Sequence, residues 1–357
     1  MKKLAILSSF IFLSTFIISQ TINKTLYFDN LNREYIIYIP TSYNNTVKVP
    51  LMFNFHGGAG TASDFLLTND MRPIADTANF IAVYPQGAID YNGADPGTTP
   101  TTSWLHKAPT THNDVNFIAA IIDTLSSEYL IDEERVYACG YSEGGIFSYE
   151  LGCRLNNKIA AFASVSGSML TDFFRQDYGF GTCTPSHPTA VMLIPGTSDD
   201  NYHSLYDGLQ PYYMSVNEIT SYWSNYNNTD PNPVITNIND NYPNDGSTVE
   251  RRQWLNGQNC VTVEELKVIN GWHDWPGSFG NMDIKASEEI WKFVSQYNIN
   301  GLIDCGVSNL IKNPDLNNKE LIKIVDVLGR EIPFKPNTPL LYIYNDGTVE
   351  RKMIIKE

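Results

Sequence analysis

The sequence predicts an α/β fold: a mostly parallel sheet with helices on both faces, followed by a small all-β module. Three observations predict it. Short runs rich in Ile, Val, Phe and Tyr alternate with stretches of helical spacing from about residue 34 to residue 297. The interiors of those runs are nearly continuously apolar, which is the pattern of strands buried on both faces. With 357 residues, 42% hydrophobic and 18% charged, the chain has ordinary globular composition and room for one large domain plus an appendage.

Taken in order, residues 34–40 and 49–55 read as the first strands. His56-Gly57-Gly58-Ala59-Gly60 follows the second directly, then a helical pattern over 62–77 and an apolar strand at 80–84. Residues 85–112, rich in Gly, Pro, Thr and Asn and containing Trp104, read as a long loop of the kind that is usually functional or a lid. Residues 114–129 read as a helix because Phe117, Ile118, Ile121, Ile122 and Leu125 recur at helical spacing. Strand 135–139, helix 142–156, strand 160–165 and strand 189–194 follow, the last ended by Pro195-Gly196. Residues 248–255 and 261–269 read as strands, and 283–297 as a helix with Ile290, Trp291 and Phe293 on its apolar side. After Asn300 the helical pattern stops, and 301–320 reads as a linker broken by Pro314. Strand-like runs at 321–328, 340–344 and 349–355 form a C-terminal module over 321–357, with Asp346-Gly347 as a hairpin turn. So small a module buries little core by itself.

The N-terminus predicts export. Lys2 and Lys3 precede an apolar run over 4–18 broken only by Ser and Thr, and Ser19 offers a small residue before a cut ahead of Gln20. Residues 1–19 therefore read as a signal peptide, residues 20–300 as the main domain, and the protein as secreted, extracellular or at the cell surface. No later stretch approaches the ~18 apolar residues of a membrane span. Among five cysteines in an oxidising compartment at least one stays free, and Cys139, in a buried strand, is expected to be that one and inert. Cys153, Cys183, Cys260 and Cys305 allow three pairings. Cys153 with Cys183 is the expected one, since it would tie the end of one helix to the loop after the next strand. No CxxC or HxxxH spacing occurs, so neither a metal nor a cofactor is expected. Lys+Arg 24 against Asp+Glu 39 gives a net charge of -15, and without a basic patch nucleic acid is excluded as an expected partner.

The chemistry centres on Gly140-Tyr141-Ser142-Glu143-Gly144, a G-x-S-x-G pentapeptide. The motif alone is a weak signal, but an apolar strand ends at Gly140 and a helical pattern opens after Ser142. That is the strand–turn–helix in which a nucleophile elbow exposes a serine hydroxyl above a sheet. Serine needs a base, and an acid to orient it, in the chain order Ser, acid, His. Of six histidines, only His273 lies beyond all the core strands, directly after the strand ending at Ile269. The acid is expected in Gly196-Thr197-Ser198-Asp199-Asp200, after the strand ending at Ile194, where either aspartate has a bland alternative as a turn cap. Oxyanion donors are expected at the Glu143 amide and at Gly58 or Ala59 in the turn after His56. His56 reads as a structural hydrogen bonder rather than a second base. Trp104, Trp272 and Trp275 are candidates for an aromatic substrate platform, with burial against the His273 loop the alternative for Trp275.

From about residue 34 to 297 the chain resembles the secreted polyhydroxybutyrate depolymerase-like esterases, the α/β-hydrolase group that includes feruloyl and acetylxylan esterases of carbohydrate esterase family 1. The resemblance rests on Phe55-His56-Gly57-Gly58, Tyr84-Pro85-Gln86-Gly87, Ser103-Trp104, Asn113-Asp114-Val115, Arg135-Val136-Tyr137, Gly140-Tyr141-Ser142-Glu143-Gly144-Gly145, Gly196-Thr197-Ser198-Asp199 and His273-Asp274-Trp275-Pro276-Gly277. It implies that Ser142, Asp199 and His273 form a catalytic triad. It also implies an ester substrate, polymeric in kind, with feruloyl or acetyl esters of plant polysaccharide leading and a polyester such as polyhydroxybutyrate the alternative. Pro195 and Trp272 depart from the family pattern and bear on substrate shape. A binding protein on the same fold would be expected to have lost a triad member; none is lost. The tail is similar to the type IX secretion sorting domains, through Val325-Asp326-Val327-Leu328-Gly329-Arg330-Glu331 and Tyr344-Asn345-Asp346-Gly347-Thr348-Val349-Glu350-Arg351-Lys352. That resemblance implies the type IX secretion machinery as a partner, with a substrate-binding accessory module as the alternative.

Overall fold

The computed structural model describes residues 20–90, 99–105, 112–200, 204–305, 321–325, 340–344 and 349–352. The expected signal peptide, most of the expected linker and much of the tail lie outside them. The chain divides into two compact units, residues 1–303 and 304–357.

The first unit is built on one ten-stranded sheet. Its early elements are β1 (Gln20–Phe28), β2 (Leu31–Ile39), β3 (Val49–Phe55), α1 (Ala62–Thr68), α2 (Arg72–Ala78), β4 (Ile81–Pro85) and a small hairpin, β5 (Ala88–Asp90) with β6 (Thr101–Ser103). Then come α3 (Asp114–Glu128), β7 (Ile131–Tyr141), α4 (Glu143–Arg154), β8 (Ala161–Val165), α5 (Asp172–Asp177) and β9 (Ala190–Ile194). The unit continues with α6 (Val216–Asn227), β10 (Val234–Asn237), β11 (Thr248–Trp254), β12 (Val263–Ile269) and α7 (Ala286–Val294). The strand order is β1-β2-β4-β3-β7-β8-β9-β12-β11-β10. Pairings from β4 through β12 are parallel, and the two strands beyond each end pair antiparallel.

Each central strand feeds two cores. Leu51, Phe53, Phe55, Val136 and Ala138 point to one face, beneath α3, α4 and α6, while Met52, Tyr137 and Cys139 point to the other, beneath α1, α2 and α7. Alternation within a fully buried strand is what turns an apolar run into a two-sided sheet. The chain leaves β3 to build β4 on one side and returns through α3 to build β7 on the other. Such a switch point opens a crevice at the carboxyl ends of the strands, where ligands bind in open α/β sheets.

Several elements differ from expectation. The single helix over 62–77 is two, because Asn69 leaves the helical path and its buried amide bonds Asn54 Oδ1 at 3.1 Å, while Pro73 opens the next helix. The loop over 85–112 contains the β5–β6 hairpin. The edge strand β1 was not foreseen; it is polar on its outer face, and only Ile22, Leu26 and Phe28 pack on the core. Asp29 and Asn30, both at positive φ, make its two-residue turn into β2. Gly301–Leu302 pairs with Tyr297–Asn298 and so belongs to the first unit rather than to a linker. The second unit shows Leu321–Val325, Leu340–Tyr344 and Val349–Lys352 as one antiparallel sheet. Cys153 and Cys183 are bonded, Cys260 and Cys305 are also in disulfide linkage, and Cys139 is buried and free. Among the described residues no helix is long and apolar enough to cross a membrane.

Candidate active site

Ser142 stands between β7 and α4 with φ 55° and ψ -121°, a strained conformation for a residue with a side chain. Its surroundings hold it there. Its N–H donates to Val165 O at 2.9 Å, and its carbonyl accepts from Ile146 N at 3.0 Å. The flanking glycines are demanded by contact: a Cβ on Gly140 would stand 2.2 Å from the Gly144 backbone, and one on Gly144 would stand 2.2 Å from Phe55 O. The hydroxyl caps nothing in α4. It is displayed rather than spent on structure.

His273 follows β12, and Asp199 follows β9. The loop after β9 lies along the loop after β12: Thr197 N donates to Val268 O at 2.9 Å, and Ser198 N to Gly271 O at 2.8 Å. Only a glycine fits at 196, since a Cβ there would meet Trp272 O at 2.3 Å. The result is a hydrogen bond of 2.7 Å between His273 Nδ1 and Asp199 Oδ2, Asp199 being 4% exposed. Asp200, next in the chain, is exposed. Tyr141 connects this pair to the turn at Ser142: its hydroxyl donates to His273 O at 2.8 Å, and the two rings lie 4.9 Å apart. Ser142 Oγ itself makes no hydrogen bond to the ring among the described residues; such contacts are commonly long without substrate and tighten when it binds.

The turn after β3 packs against Ser142. A Cβ on Gly57 would lie 3.3 Å from Ser142 Cβ, and one on Gly58 would lie 3.0 Å from Glu143 Oε2. Of the two expected donors in this turn, Ala59 is ruled out. Its N–H is committed to Thr102 O at 2.9 Å, because the β5–β6 hairpin lies across the turn. The Gly58 amide has no such commitment among the described residues. Glu143 begins α4, where N–H groups have no partner within the helix. Its carboxylate turns aside and accepts from Ser103 Oγ at 2.5 Å.

His56 is fully wired. Nε2 accepts from Gly87 N at 3.0 Å, which puts the proton on Nδ1, 2.7 Å from Gly57 O. Burial pushes its pKa below the ordinary 6.5, so the ring is a neutral brace. Two of the three expected platform tryptophans are corrected. Trp104 is 1% exposed, donates to His56 O at 2.8 Å and stacks on Phe147. Trp275 is 1% exposed and packs edge-on against Phe65. Both rings fill cores instead of facing solvent. Trp272 is 57% exposed beside His273, and Phe279, also exposed, packs edge-on against Tyr141. Sequence reasoning missed Phe279 and Ser204. Ser204 Oγ donates to Asp199 Oδ2 at 2.8 Å and lies 2.9 Å from His273 Nδ1. Neither belongs to a motif that would have marked it. Among the described residues no group of His, Cys, Asp and Glu is arranged to hold a metal.

No family model matches the chain. The chain is 27% identical over 283 residues to a bifunctional acetylxylan esterase/xylanase of Neocallimastix patriciarum, covering 79% of this chain and 36% of that protein. It is 26% identical over 281 residues to feruloyl esterase B of Piromyces equi, covering 75% and 46%. The chain thus spans less than half the length of these relatives. Among solved structures, an acetyl xylan esterase from Aspergillus awamori superposes with a TM-score of 0.53 at 13% identity, covering 77% of this chain and 99% of the other. That likeness is one of fold: the first unit has the α/β-hydrolase fold.

Proposed function

We propose that the chain is a secreted serine carboxylic-ester hydrolase acting through an acyl-enzyme on feruloyl or acetyl esters of plant polysaccharide. The observation that carries the reading is the Asp199–His273 hydrogen bond, at the same end of the sheet as the strained Ser142. In this reading His273 Nε2 takes the Ser142 proton as Oγ attacks the ester carbonyl. Asp199 holds the ring in the Nδ1–H form and stabilises the imidazolium. The Glu143 and Gly58 amides donate to the oxyanion, which needs fixed dipoles where charge develops. The imidazolium protonates the leaving alkoxide, and water activated by the same nitrogen releases the acid. Trp272 and Phe279 offer exposed aromatic surface beside His273 and Tyr141, suited to a phenolic acyl group or a sugar face. The relatives' printed activities favour plant-polysaccharide esters over a polyester. Export rests on the sequence of residues 1–19 and on the disulfides, and passage through type IX machinery on the tail's resemblance alone.

A hydrolysis panel of methyl ferulate, acetylated xylan, nitrophenyl acetate and polyhydroxybutyrate film tests the substrate class. Turnover of the polyester alone would move the assignment to the polyester alternative. The Ser142→Ala protein, folded, is expected to lose activity on every active substrate by several orders of magnitude. Activity near that of the parent would remove the serine-hydrolase reading.

A further inference from the structure

We propose that Ser204 is a positioning residue that fixes the tautomer and the orientation of His273. The proposal rests on the reading of Ser142, Asp199 and His273 as a triad. Ser204 Oγ, Asp199 Oδ2 and His273 Nδ1 form a closed triangle with sides of 2.8, 2.7 and 2.9 Å. A serine hydroxyl has one proton to give. Here it goes to Oδ2, so Oγ turns only lone pairs toward the ring. Both neighbours of Nδ1 in the triangle are therefore acceptors, and the ring proton is held on Nδ1 by two of them. That leaves the lone pair on Nε2, the nitrogen that must receive the proton of Ser142.

The hydroxyl also fixes the carboxylate. By donating to Oδ2 it holds Asp199 in the orientation that meets the ring, and Ser204 and Asp199 are each 4% exposed, so little solvent competes for these bonds. Asp274 accepts from Trp272 N at 3.0 Å and the Tyr141 hydroxyl donates to His273 O at 2.8 Å, so neither bond is made through Ser204.

The test compares the full-chain parent, Ser204→Ala, Ser204→Thr and Ser142→Ala by kcat and KM on a soluble nitrophenyl ester. For Ser204→Ala we expect kcat to fall about tenfold, with KM within about twofold, because the ester never touches the hydroxyl. Ser204→Thr keeps a hydroxyl and is expected to recover kcat to within about threefold of the parent. If the added methyl is not tolerated at this buried position, the split between kcat and KM in Ser204→Ala decides alone. Parent-like kcat in Ser204→Ala, with Ser142→Ala inactive, would overturn the role of Ser204 and leave the triad standing. Parent-like turnover in Ser142→Ala would instead overturn the triad, and this proposal with it.

Discussion

Two adjacent aspartates show how sharply environment separates like residues. Asp199 is buried against His273 while Asp200 faces solvent. Losing an orienting acid leaves the base in the wrong tautomer, whereas changing a solvated carboxylate costs little. Asp199→Asn should therefore slow ester hydrolysis by at least ~100-fold, and Asp200→Asn by less than about 5-fold, both proteins being folded. Turnover measured on one soluble ester checks both; a crippled Asp200→Asn would shift the acid by one residue. A second residue-scale prediction concerns His56, whose pKa burial holds below the ordinary 6.5. As pH falls through 6.5, the unfolded chain takes up a proton there and the folded chain does not. Stability from this group is thus complete above 6.5 and declines with falling pH below it. Melting temperatures from pH 7 to pH 5 should fall less steeply in His56→Gln than in the parent, and equal slopes would show the ring is not the titrating group. The residues alone narrowed the acid to Asp199 or Asp200, and the family resemblance carried by Gly196-Thr197-Ser198-Asp199 pointed to Asp199. Ser204 was not, since it lies five residues on, reaches the site by the path of a loop, and has no neighbour in sequence that announces it.

At the scale of elements, the legible parts are those where one local demand dominates. Strand β3 and helix α3 declare themselves by uninterrupted or helically spaced apolar residues, and the turn at Ser142 by glycines that no other residue can replace. Gly144→Ala should make this plain: its Cβ would enter the space of Phe55 O and His56 O, driving α4 off β3 where Gly57 packs against Ser142 and Gly58 against Glu143. We expect a loss of about 3 kcal/mol or more, together with most of the activity. Gly181→Ala, whose Cβ meets nothing within 4 Å, should stay within about 0.5 kcal/mol of the parent. Thermal and urea unfolding of the two variants check the contrast; equal stability would mean that α4 and β3 can separate freely. The elements that escaped notice, β1, α5, α6 and β10, are short or polar-faced. Helix α6 does carry a capping box, Ser215 with Glu218, which is a readable start signal. Trp104 misled because composition marks a tryptophan in a Gly-rich loop as a ligand contact. Its N–H finding His56 O, and its ring finding Phe147, are tertiary events.

For the whole molecule, the order of strands decides where chemistry can happen. The reversal at β3 and β7 puts the His56-Gly57-Gly58 turn and the Ser142 turn on neighbouring strand ends, with Phe55 paired to Gly140. The growth of the sheet through β8, β9 and β12 then brings Asp199 and His273 to the same edge. Every residue assigned a part in hydrolysis therefore comes from the first unit, residues 1–303. The second unit contributes a separate sheet of three strands and none of those residues. A unit with its own core is expected to keep its chemistry when an appendage is removed. Deleting residues 321–357, which spares Cys305, should leave kcat/KM on a soluble nitrophenyl ester within about twofold of the full chain, because the transition-state contacts are unchanged. The same deletion should stop delivery beyond the periplasm in a host that has type IX machinery, measured as the share of protein in the medium. The two measurements separate the possibilities. Lost turnover would mean the tail completes the hydrolase, unchanged delivery would remove the sorting role, and weaker action on insoluble polysaccharide alone would mark the tail as a substrate-binding module.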